Sequence, residues 1–109
     1  MVYILKERWC KFLVTQFPLE YYIGKACKKF RRGILDLSID SLIKHAQSDV
    51  SVVSISNFER GQIHSTKMIT IYFNASKSVQ SDQSETLNTF LKMAIDEYFV
   101  SLQKINTLR

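Results

Sequence analysis

The chain has 109 residues, 46% of them hydrophobic and 23% charged, and carries a formal charge of +5. That length fits one small domain, and so large an apolar share excludes a disordered segment. One proline and three glycines (Gly24, Gly33 and Gly61) suit a compact helical protein better than an all-β one.

Residues 1–20 read as an N-terminal extension. Leu5, Trp9, Phe12, Leu13 and Phe17 follow a helical spacing, which Pro18 ends or bends. Lys6, Glu7, Arg8 and Lys11 interrupt the apolar run, so the start does not resemble a secretory leader. No stretch approaches the roughly 20 apolar residues of a membrane helix. A cytoplasmic protein with no membrane partner is expected.

The spacing predicts a helix over 21–32, with Tyr22, Ile23, Ala26, Cys27 and Phe30 on one face and Gly33 as its terminator. Residues 1–37 hold eight Lys or Arg against three acids, so the whole net charge lies in this first third. Lys25, Lys28, Lys29, Arg31 and Arg32 form a basic cluster able to neutralise phosphates; the bland reading is a solvated helix face.

Ser38 is the expected N-cap of the next helix, with Asp40 favouring the positive end of its dipole and Leu42, Ile43 and Ala46 as the apolar stripe. Gln47 to Val50 is polar and reads as a turn. Ser51 then caps a third helix that stops at Gly61, where a left-handed cap is needed. Ile55 and Phe58 face a core, as do Phe30, Leu42 and Met68, while Ser54, Asn57 and Arg60 fall toward solvent.

A fourth helix is expected from Thr66 to about Asn74, with Ser65 as cap, although Ile69-Thr70-Ile71-Tyr72-Phe73 would equally suit a strand. Ala75 to Gln83 is rich in serine, and 77–83 is taken as a linker. Ser84 or Thr86 opens the longest pattern, Leu87, Phe90, Leu91, Ala94, Ile95, Tyr98, Phe99, Leu102 and Ile105. Such a helix spans roughly 30 Å and has apolar residues on more than one stripe, one for the domain and one for a partner. The expected organisation is thus an extension over 1–20, a domain over 21–76, the linker, and a C-terminal packing or dimerisation helix over 84–109.

Two short helices joined by a tight connection, the second polar on its outer face, describe a helix-turn-helix, which points to DNA. In that arrangement Ser51, Val52, Val53 and Ser54, at the first turn of the third helix, enter the major groove. Valine methyls can meet thymine methyls, while Ser54 or Asn57 bonds a base edge or phosphate. Arg60, Gln62, Lys25 and Lys28 are phosphate candidates, and Ser38 offers a helix N-terminus to the backbone.

Ile23-Gly24-Lys25 with Cys27, Phe30 and Arg31, then Leu37-Ser38 with Leu42 and Ala46, then Val50-Ser51 with Ile55-Ser56-Asn57-Phe58-Glu59-Arg60-Gly61, together resemble the Xre or lambda-repressor-like regulators. The resemblance spans about residues 22–76. It looks most like the Rgg/MutR branch, through the longer turn at Gln47–Val50 and the ending at Ser56–Gly61. It implies an all-α bundle of four to five helices and a Glu59 paired with Arg31, or failing that Arg32. Two departures stand out. Residues 77–109 hold no counterpart of the family's helical-repeat domain, and Ile39 occupies a position where many members have a DNA-contacting glutamine.

The expected function is a sequence-specific, double-stranded DNA-binding transcriptional regulator acting as a homodimer. The alternative is a protein-interaction module, an anti-repressor or inhibitor, with a protein or peptide partner. Cys10, Cys27, His45 and His64 do not assemble the four ligands of a zinc site, no phosphate loop or nucleophile–base spacing occurs, and neither a cofactor nor an enzyme is expected.

Overall fold

Pro18 starts the described helices. It sits extended (φ −67°, ψ 160°) as the N-cap of α1, Leu19–Lys29, and its carbonyl accepts the Tyr21 N–H at 3.0 Å. The computed structural model describes residues 17–63, 65 and 67–107, the last three by backbone alone. The predicted stripe at Leu5, Trp9, Phe12 and Leu13 lies outside the described residues, as do Cys10, His64 and Thr66. The helix begins two residues before Tyr21, because proline's fixed φ and missing N–H cost nothing at a helix entry.

Gly33 does not end this helix. Past Lys29 the chain widens into a π-helical continuation, Phe30–Leu35. Residues five apart then share nearly one face, so Phe30 and Leu35 both enter the core. The stop comes at Asp36, whose φ of 53° is left-handed, and the Asp36 and Leu37 N–H groups both donate to the Arg31 carbonyl. Aspartate tolerates that conformation better than most side chains.

The next two helices follow the sequence closely. α2 is Ile39–Ala46, capped by the Ser38 hydroxyl, which accepts the Ser41 N–H at 3.2 Å. Gln47 leaves it in the left-handed conformation (φ 52°). α3 is Val52–Glu59, capped by Ser51, and Gly61 follows its end at φ 76°.

α4, Lys67–Ser78, settles the ambiguous β-branched run as helix. Met68, Ile71, Tyr72 and Ala75 recur at helical spacing and are all buried, so packing overrides local preference. The linker is also shorter than expected. Lys77 and Ser78 belong to α4, and Ala75 and Ser76 lie in the interior, where small side chains allow close approach.

α5, Ser84–Thr107, lies antiparallel to α1: Phe30 meets Phe90 at 5.8 Å and Tyr22 meets Tyr98 at 6.1 Å between ring centroids. Leu87 joins the same core cluster as Cys27, Phe30, Leu42, Ile55, Phe58, Met68 and Tyr72, so α5 is part of the bundle rather than an appendage. The described residues are all-helical, with no strand among them.

A charged cluster is built into this core. Glu59 accepts from Arg31 Nε at 2.8 Å, from Arg31 Nη2 at 3.0 Å and from the Tyr72 hydroxyl at 2.7 Å. Arg31 Nη1 donates to the Leu37 carbonyl at 2.8 Å. The pairing implied by the family resemblance is therefore present, and Tyr72 is a partner that no sequence signal indicates. Burial, and then the nearby Glu59 charge, push the Cys27 thiol up to about 12. The same two causes raise the Tyr72 phenol.

Both groups ionise more easily in the unfolded chain. Their contribution to stability is thus complete below pH 9 and lost as pH rises toward the folded values. The thiol alone should lower unfolding free energy by about 1.4 kcal/mol per pH unit above its unfolded pKa. Urea denaturation at successive pH values from 8 upward should show this decline; a flat profile would contradict it.

Candidate functional site

α3 is fixed along one side and at one end. Ile55 and Phe58 anchor it in the core, and Glu59 ties its last turn to Arg31 and Tyr72. Two glycines allow the close approach of α1. A Cβ on Gly24 would overlap the Phe58 carbonyl oxygen, and one on Gly61 would stand 2.7 Å from the Tyr21 Cα.

The opposite end of α3 is open. Ser51 Oγ accepts the Ser54 N–H at 3.1 Å and donates to Ser54 Oγ at 3.0 Å, which closes the first turn. Val52 and Val53 stand beside it, 41% and 66% exposed. Ser54 and Asn57 are half-buried. The Asn57 Oδ1 accepts from Arg60 Nη2, which leaves the amide NH2 as the free end of that side chain. Arg60 and Gln62 are exposed, and the Gln62 N–H donates to the Asn57 carbonyl at 2.9 Å. Ser38 is exposed at the start of α2, and its hydroxyl donates to Ser41 Oγ at 3.1 Å.

Replacing the Ser51 cap with alanine should cost about 0.5–2 kcal/mol, because the Ser54 N–H loses its acceptor. Thermal unfolding of Ser51→Ala checks this, and an unchanged midpoint would show that water serves equally well.

The predicted basic residues divide. Arg31 is 7% exposed and committed to Glu59, so it does not belong to a phosphate-binding surface. Lys25 and Lys28 are exposed, but they lie on α1, which crosses α3 at its Phe58–Glu59 end. Val52 and Val53 sit at the other end, roughly 10 Å along the axis. Sequence spacing does not reveal a crossing point, so the two groups read as one surface when they are two.

Two arrangements carry no signal in the sequence. An open groove of about 620 Å³ runs between the α2–α3 connection and α4, with Gln47, Ser48, Asp49, Lys67, Thr70 and Asn74 among its lining. His45 Nδ1 meets Ser78 Oγ at 3.2 Å across the ends of α2 and α4. The Ser78 hydroxyl also lies 3.2 Å from the Ala75 carbonyl, and which way the His45 bond runs follows the imidazole tautomer.

No family model, curated protein or solved structure matches the chain. Among the described residues, no group of three or more His, Cys, Asp or Glu is placed to hold a metal ion, and no helix is long and apolar enough to cross a membrane. What the site can do follows from its own chemistry: a capped helix end carrying two methyl-bearing side chains, the Asn57 amide one turn on, and Arg60 beyond it.

Proposed function

We propose that the chain is a sequence-specific, double-stranded DNA-binding transcriptional regulator of the lambda-repressor-like helix-turn-helix kind, nearest the Rgg/MutR branch. α2 and α3 would form the helix-turn-helix, with the first turn of α3 in the major groove. The observation that carries this reading is the pair of exposed valines on the capped start of a helix whose other end is locked by a buried ion pair. A rigidly presented convex surface of this kind fits a groove. Val52 and Val53 contact thymine methyls, and the Asn57 amide donates to an acceptor on a base edge. Ser38, Ser51, Arg60 and Gln62 position the backbone.

A regulator of this kind reads two half-sites as a two-fold dimer. Ile95 and Phe99, exposed one turn apart near the middle of α5, supply apolar surface for such a contact.

In vitro selection with the purified chain tests the reading. Enriched sequences should share a motif, and Asn57→Ala should weaken binding to it by about 1–3 kcal/mol. Selection that returns no motif would reject specific regulation. Apolar exposure also favours a second reading, a protein-interaction module that kept the fold. That one requires co-purification with a protein target and no DNA affinity at low salt.

A further inference from the structure

The outer face of α1 and its π-helical continuation carries four cations in a row. Lys25, Lys28, Lys29 and Arg32 follow the spacing i, i+3, i+4, i+7, and all four are exposed. The residues between them, Ala26, Cys27, Phe30 and Arg31, turn inward. Lys25 Nζ stands 5.9 Å from the Tyr21 ring, and Glu97 shares the α1–α5 groove with Lys25 and Lys29, but among the described residues none of the four is ion-paired. Every neighbouring pair within the set is like-charged, at distances where repulsion lowers helix stability. Such a face is costly to the free protein and favourable against a polyanion.

We propose that this ridge is a second nucleic-acid contact, separate from the valine-bearing turn, that carries the sequence-independent, salt-dependent part of DNA affinity. It rests on the DNA-binding reading and assigns the two parts of that activity to different helices. Three of the four cations are lysines, which bind phosphate as point charges without directional demand. The ridge is roughly 10 Å long, and a duplex presents one negative charge per about 1.7 Å of axis over its two strands, so the ridge spans several phosphates. Within residues 25–32 the one large apolar side chain, Phe30, is buried and unavailable for insertion into a lipid surface, which favours a nucleic acid over a bilayer.

The full chain is compared with the variant K25Q/K28Q/K29Q/R32Q on a selected site and on random duplex, by fluorescence anisotropy across a salt series. A second variant, K44Q/K77Q/K92Q/K104Q, removes the same charge from exposed positions elsewhere. The ridge variant should lose about 3 to 4 from the slope of log affinity against log salt, at about 0.9 for each phosphate it no longer neutralises. Its affinity for random duplex should fall at least tenfold while its preference for the selected site persists. The control variant should keep the wild-type slope.

Equal slopes for ridge variant and wild type, or equal losses in both variants, would overturn the proposal. Binding to random duplex that depends on the ridge but shows no site preference would uphold the ridge and reject sequence-specific regulation. No duplex binding by the wild type at low salt would reject both. Loss of binding to phosphatidylserine vesicles, with duplex binding intact, would reassign the ridge to a lipid surface.

Discussion

Glu59→Ala is expected to cost about 3–5 kcal/mol of folding stability, because it leaves a buried guanidinium without its counter-charge. Arg31 and Glu59 are each 7% exposed, so water cannot replace the missing partner. Tyr72 would lose its acceptor in the same step. Against a total of about 5–15 kcal/mol for a typical domain, that change leaves a substantial unfolded fraction.

The pair itself is a different matter from its breakage. Arg31→Met combined with Glu59→Leu removes both charges together and should cost much less than Glu59→Ala alone, although Tyr72 still lacks a partner. Chemical denaturation of the two variants checks the sign and the non-additivity. A double variant as unstable as the single one would show that the pair contributes net stability beyond mutual neutralisation.

Gly24→Ala is expected to be the most damaging methyl addition in the chain. The new Cβ would overlap the Phe58 carbonyl oxygen and stand 3.0 Å from the Glu59 carbonyl oxygen, both backbone atoms held by the last turn of α3. Backbone cannot yield as a flexible side chain does, so α1 and α3 must separate. The cost belongs at or above the upper end of the about 1–3 kcal/mol usual for overpacking. It appears despite alanine's better helix propensity, about 1 kcal/mol in the opposite direction.

Gly33→Ala is the natural control. Nothing stands within 4 Å of its added Cβ, and its backbone is helical, so this substitution should stabilise by about 0.4–1 kcal/mol. Thermal unfolding of both variants decides the matter; equal shifts would mean that the close approach at Gly24 relaxes freely.

These two positions also show what the sequence makes legible. The starts of α2 and α3 are readable because Ser38 and Ser51 precede apolar residues at helical spacing, and both hydroxyls accept the expected N–H. The assignment of Leu42, Ile55, Phe58, Phe30 and Met68 to the interior rests on the same periodicity, and all five are buried. Gly33 misleads because a helix can widen past a glycine when the next residue able to enter the left-handed region is Asp36. The serine-rich stretch from Ala75 misleads because Ser76 satisfies its hydroxyl on the Phe73 carbonyl and can therefore be buried within a helix.

The candidate site is only half readable. The outward placement of Val52 and Val53 follows from the sequence, since Ile55 and Phe58 fix which way α3 faces. Lys25, Lys28 and Arg31 group together by charge alone. Charge pattern does not record which cation turns inward, and here Arg31 does while its neighbours do not.

The shared carboxylate has an implication for how variants of this chain would diverge. Glu59 receives donors from residues 28 and 13 positions away, on the π-helical Phe30–Leu35 segment and on α4, so the tilt of α3 is inherited from neighbouring helices. Conservative changes at Arg31 or Tyr72 would re-aim the exposed valines of α3 by a small rotation. If the chain reads DNA as proposed, altered specificity would thus arise at positions away from the valine-bearing turn.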